Sequence, residues 1–179
     1  MLQTKMINLA GCWIPGFEGT DSTPALSRDG QAVCIGSYSG EAFGICARTG
    51  KPLWNATLDP PVGYSAVGEG TPALIRNVSD PLGHFGDCFV IATLESVRCL
   101  DVNTGSVYWS WSPSEGGQLS SCGAVDSIRG VFFVGTLKRS LFAVNTTDGT
   151  TVWHYPAHGE IWATHGPRLV GPDLVCTGR

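Results

Sequence analysis

A chain of 179 residues is long enough to bury a full domain core. Only 15% of its residues are charged, while 24 glycines and 11 prolines demand frequent turns, a balance that favours β structure. The formal net charge of −4, with no Lys/Arg cluster, lacks the footprint of a nucleic-acid binder, and no apolar run approaches the ~20 residues of a membrane-spanning helix.

Residues 1–17 lack the charged start and continuous apolar stretch of a signal peptide. Instead, Lys5-Met6-Ile7-Asn8 followed by Gly11-Cys12-Trp13 reads as a degenerate last pair of strands from a preceding unit. Next comes Gly19-Thr20-Asp21-Ser22, which superficially resembles a phosphopantetheine attachment site. Such a site needs a helix after the serine, whereas Thr23-Pro24 begins a strand, so the structural reading is favoured.

From Thr23 onward the chain repeats itself. Thr23-Pro24-Ala25-Leu26, Thr71-Pro72-Ala73-Leu74, Cys122-Gly123-Ala124-Val125 and Gly166-Pro167-Arg168-Leu169 form one landmark. The other is a glycine four residues before a tryptophan: Gly50 and Trp54, Gly105 and Trp109, Gly149 and Trp153. From landmark to tryptophan is 28, 35 and 28 residues, and from tryptophan to the next landmark 20, 16 and 16. The basic period, 28 plus 16, is 44 residues, within the roughly 40–45 used by propeller blades. The seven extra residues of the middle unit fall in 77–86, a stretch dense in turn formers that reads as a lengthened surface loop.

Within the third unit Gly123-Ala124-Val125, Val131–Val134, Ser140–Val144 and Thr151–Tyr155 predict four short strands, with no 3.6-residue periodicity among them. The expected fold is all-β: a β-propeller fragment of four-stranded antiparallel blades over 22–58, 70–113 and 121–157. Partial blades are expected at 1–17 and 165–179, and together they have enough strands for one further blade. Glycine in the Thr-Gly or Asp-Gly turns supplies the positive φ of a tight hairpin, and each tryptophan is placed to pack between neighbouring blades.

Ser22–Leu26, Val33–Gly40 and Ala47–Trp54 resemble the pyrroloquinoline quinone (PQQ) repeat, whose most specific part is the Thr-Gly-x-x-x-Trp ending. The resemblance covers about residues 22–179 and implies blades set radially around a channel. Quinone-dependent dehydrogenases of this family typically use a vicinal Cys-Cys disulfide, calcium ligands and a catalytic Asp. No Cys-Cys pair exists here, Asp21, Asp101 and Asp126 fall at turns or strand ends, and Cys46 replaces the residue where the other units have Asp101 and Asn145. The Ser/Thr-Pro-Ala-Leu starts and cysteine-rich strands look closer to the non-catalytic propeller of the β-alanine-activating enzyme, an acyl-adenylate synthetase.

No catalytic, cofactor-binding or metal-ligating residue is therefore expected in this segment, and no cofactor; PQQ and calcium belong to the alternative of a dehydrogenase-type quinoprotein. Gly68-Glu69-Gly70 lacks the third glycine and following helix of a phosphate loop. His154, His158 and His165 invite a metal, but Pro156 forbids the helix that would align the first two. Glu69, Glu115 and Glu160 lie in comparable inter-blade connections, and that loop face is the expected binding region, for a protein partner or a neighbouring domain of the same chain. Self-association through open blade edges is a further expectation, since exposed strand edges pair readily. Seven cysteines without metal-site spacing suggest reduced thiols in the cytoplasm, against which three sequons, at Asn55, Asn77 and Asn145, point to a secreted or lumenal protein.

Overall fold

The computed structural model describes residues 19–58, 71–79, 82–161, 167–171 and 173–175, without the side chains of 79, 120–122 and 173–175. The expected strands at 1–17 lie outside the described residues. The first blade is β1 (Ala25–Leu26), β2 (Ala32–Gly36), β3 (Glu41–Cys46) and β4 (Pro52–Thr57), hydrogen-bonded in that order. The second is β5 (Ala73–Ser79), β6 (Phe85–Ala92), β7 (Val97–Asp101) and β8 (Val107–Trp111). The third is β9 (Leu119–Asp126), β10 (Val131–Thr136), β11 (Ser140–Asn145) and β12 (Thr151–Pro156). Finally β13 (Arg168–Val170) and β14 (Asp173–Val175) pair as the opening of a fourth unit. Every pairing is antiparallel, so the expected all-β blades are present.

The core lies between blades. One cluster joins Val90, Val97 and Trp109 of the second blade to Phe132, Val134 and Phe142 of the third. Another joins Cys34, Ala42 and Trp54 of the first to Phe89, Ile91 and Leu100 of the second. A single four-stranded sheet has two faces to cover, and stacking the next sheet on it is how a repeat array covers both.

Each blade carries a bulge at the same place. Register shifts after Gly44, Cys99 and Ala143, which sit opposite Trp54, Trp109 and Trp153. The extra residue on the outer strand, Leu53, Tyr108 or Val152, re-aims the tryptophan that follows it. Trp54 then lies over Gly105 of the next blade and donates its Nε1–H to the Val102 carbonyl at 2.9 Å. Trp109 repeats this on Gly149, donating to the Thr146 carbonyl at 3.0 Å. Both glycines take positive φ, 70° and 74°, and a Cβ would stand 2.5 Å and 2.7 Å from the respective rings. The turn and the close approach thus need glycine for separate reasons.

Two readings are revised. Residues 77–86 are not simply a surface loop, because β5 and β6 run into them and pair again at Val78–Gly86 and Ser79–Phe85 beyond a bulge. Asn77 takes a φ of 57° there, which Asn tolerates, and Val78 drops into the core at 1% exposure. Trp153 is 40% exposed where Trp54 and Trp109 are 8% and 7%, since no described third strand of a following blade stands over it.

Candidate functional site

The loop face assembles at the junction of the second and third blades. Glu115 stands in the turn after β8, Lys138 in the β10–β11 turn and His154 on β12. Lys138 Nζ donates to the Glu115 carbonyl at 2.8 Å, and Glu115 Oε2 lies 3.7 Å from His154 Nε2. That same nitrogen is 3.0 Å from Ser140 Oγ, while Phe142 stacks on the imidazole at 4.6 Å and Trp111 meets Phe142 edge-on at 5.0 Å. A serine, histidine and carboxylate in contact suggest acyl-transfer chemistry, but a triad needs the carboxylate on Nδ1 and the serine on Nε2. Here both approach Nε2, and Ser140 is buried at the sheet end. The cluster fixes the connection against the blade; it does not activate a nucleophile.

Sequence reasoning placed Glu115, Glu160 and His154 near this face without bringing any of them together. Glu115 and His154 do meet, Glu160 is half-buried and has a partner, and His158 is exposed. Glu69, Gly68, Gly70 and His165 lie outside the described residues. Among the described residues no three His, Cys, Asp or Glu side chains gather in a way that would hold a metal ion. Ser22 leads into β1 with no helix after it, so the carrier-site likeness ends with its four residues.

The aspartates have structural partners. Asp101 Oδ1 accepts from the Asn103 and Thr104 amides at 2.9 and 2.8 Å and from the Thr104 hydroxyl, while Tyr108 donates to Oδ2 at 2.8 Å. Asp126 accepts from the Ile128 and Arg129 amides, both at 3.0 Å, and from the Arg129 guanidinium at 2.6 Å. The Arg129 amide, followed by its guanidinium, holds the Asp126 carboxyl below the usual carboxylate range. Asp29 is likewise lowered, first by the Ser27 hydroxyl and then by the Gln31 amide, and Asp21 accepts from the Tyr38 hydroxyl at 2.7 Å. Cys46 stands where Asp101 stands in the second blade, and the Thr49 hydroxyl and the Thr49 and Arg48 amides lower its thiol. Burial instead pushes Cys34 and Cys99 up.

A quinone cofactor with its calcium ion would need free carboxylate and amide donors converging over a vicinal disulfide. Both oxygens of Asp101 and of Asp126 accept hydrogen bonds from groups of their own hairpins, and no adjacent cysteines exist in the sequence. These residues do not fit the cofactor.

A family model described as outer membrane protein assembly factor BamB matches residues 15–128 and again 93–177. The chain belongs to this PQQ-like repeat family. Such repeats also account for its likeness to the dehydrogenase subunit of the quinone alcohol dehydrogenase of Gluconobacter oxydans (strain 621H), 26% identical over 110 residues. That match takes in 58% of the chain and 13% of the subunit. Among solved structures, BamB from Moraxella catarrhalis superposes with a TM-score of 0.64 at 20% identity, over 88% of this chain and 43% of that one. A quinohemoprotein alcohol dehydrogenase from Pseudomonas putida HK5 gives 0.56 at 18% identity, over 79% and 28%. The PQQ-like chain therefore spans under half the length of these relatives, and what it shares with the solved structures is the propeller fold.

Proposed function

We propose that this PQQ-like segment is a non-catalytic interaction propeller, holding a protein partner or a neighbouring domain through the connection face around Glu115, Lys138 and His154. The observation that carries the reading is the use of Asp101 and Asp126 as turn-capping groups, which leaves neither as a base or a metal ligand. A fold of this kind hosts several functions, so the site and not the propeller decides. The Ser/Thr-Pro-Ala-Leu unit starts support an acyl-adenylate synthetase of the β-alanine-activating kind as the parent chain, with its chemistry in other domains. Unpaired thiols at Cys34, Cys46, Cys88 and Cys99 support a cytoplasmic setting.

The test is calorimetric titration of this chain with the adenylation and carrier portion encoded beside it. Saturable binding that weakens when Lys138→Glu reverses a charge on the connection face supports the reading; no heat of binding, or an adjacent coding sequence without such a portion, defeats it. The second reading, a piece of a quinone-dependent dehydrogenase, is favoured by the 26% identity to the Gluconobacter oxydans subunit. Dye-linked alcohol oxidation on adding PQQ and Ca²⁺ to the full-length protein would establish it in place of the first.

A further inference from the structure

Arg139 closes the β10–β11 turn at a φ of 63°, in the left-handed region where a Cβ crowds the following carbonyl. Gly40 holds the corresponding place in the β2–β3 turn of the first blade, at a φ of 86°. Hydrogen bonds fix the correspondence. The Leu58 amide donates to the Gly40 carbonyl at 2.9 Å, and the Ala157 amide donates to the Arg139 carbonyl at 2.6 Å. Two residues earlier in each turn, the Tyr38 amide donates to the Gly19 carbonyl at 3.1 Å and the Leu137 amide to the Gln118 carbonyl at 3.0 Å. One position of the repeat thus carries glycine without strain in one blade and arginine under strain in another.

The fold can bear that strain because the turn is held from two sides, by the connection entering the third blade at Gln118 and by the one leaving it at Ala157. Packing does not require the side chain. Arg139 is exposed, and its guanidinium makes no hydrogen bond or ion pair among the described residues, whereas Arg98 bonds Ser110 and Arg129 bonds Asp126. Beside it, Lys138 Nζ takes a neutral acceptor, the Glu115 carbonyl. A strained backbone that delivers an exposed, unengaged cation to the connection face points to a contact outside the fold. We propose that Arg139 is the specificity contact of that face, its guanidinium forking onto a carboxylate in an Asp- or Glu-bearing segment of the partner, with Lys138 adding to the attraction. This rests on the functional reading above for the face itself and adds the chemistry of what binds there. A short acidic segment suits the face better than a nucleic acid, because Glu95, Glu115 and Glu160 lie in turns and connections on the same side and repel a continuous polyanion.

Fluorescence anisotropy of a labelled hexaglutamate peptide titrated with the chain tests it. Saturable binding that fades with added salt is expected. Arg139→Gly should weaken it about tenfold yet melt no lower than the wild type, since the strain leaves with the side chain. Arg139→Gln should weaken it as much, while Arg28→Gln, in the β1–β2 turn at the opposite end of a blade, should bind as the wild type does. Several results overturn the proposal: no saturable binding, undiminished affinity in either Arg139 variant, tighter binding of hexalysine, displacement of the peptide by an oligothymidine more readily than by unlabelled hexaglutamate, or Arg139→Gly melting below the wild type. The functional reading fails separately, through its own calorimetric titration; an adenylation and carrier portion that binds Arg139→Gly and the wild type equally well would keep that reading and remove this one.

Discussion

Replacing Trp109 by Ala removes a side chain that is 7% exposed, together with the Nε1–H bond to the Thr146 carbonyl of the next blade. A buried tryptophan of this kind covers roughly 150–250 Å², and large-to-small changes at such sites cost about 3–5 kcal/mol. Gly149→Ala attacks the same contact from the other side. At a φ of 74° an alanine is strained by about 1 kcal/mol, and its Cβ would stand 2.7 Å from the Trp109 ring. That collision disappears once the ring is gone. The double-mutant cycle, measured by urea denaturation followed by circular dichroism, therefore gives a non-additive result: Gly149→Ala costs 0.5–3 kcal/mol less in the Trp109→Ala background, on the order of couplings between touching residues. Additive losses within about 0.5 kcal/mol would refute the wedge of one blade's indole on the next blade's turn.

Val78→Ala is expected to cost about 2 kcal/mol by the same assay, because Val78 is buried in the β5–β6 hairpin. A surface loop there would show a change within about 0.5 kcal/mol. Among the four cysteines with described side chains, iodoacetamide should label Cys46 first, at a pH below that needed for an ordinary thiol, since Thr49 and neighbouring amides lower it and it is half-buried, while Cys34, Cys88 and Cys99 are fully buried; peptide mapping showing Cys34 labelled before Cys46 would contradict this. Asp126 has a folded pKa below its unfolded value, so its contribution is fully present above the ordinary carboxylate range, about pH 4, and fades as pH falls through the folded value. Asp126→Asn should lower the melting temperature at pH 7 and flatten its decline in acid; parallel acid limbs would argue against the Arg129 pairing.

The repeat was legible because its two landmarks are local. Gly105 and Trp109 lie four residues apart in one hairpin, so spacing reveals them even without an alignment. The partners of the indoles were not legible, because Val102 and Thr146 accept through backbone carbonyls 48 and 37 residues from their donors. Any residue type offers that atom. The lengthened hairpin was missed since Asn77, Asp80, Pro81 and Gly83 outweigh Val78 in a count of turn formers, although Asn77 spends its tolerance of positive φ inside a bulge. The meeting of Glu115 with His154 depends on the inter-blade connection folding back over β12, which composition does not signal.

That successive sheets are wedged together by recurring indoles is tested most directly by exchange of the indole N–H protons, resolved by nitrogen-edited NMR. Trp54 and Trp109 should exchange slowly, held by the Val102 and Thr146 carbonyls, while the exposed Trp153 exchanges fast. Three indoles exchanging alike, at the rate of a solvent-exposed tryptophan, would contradict the account.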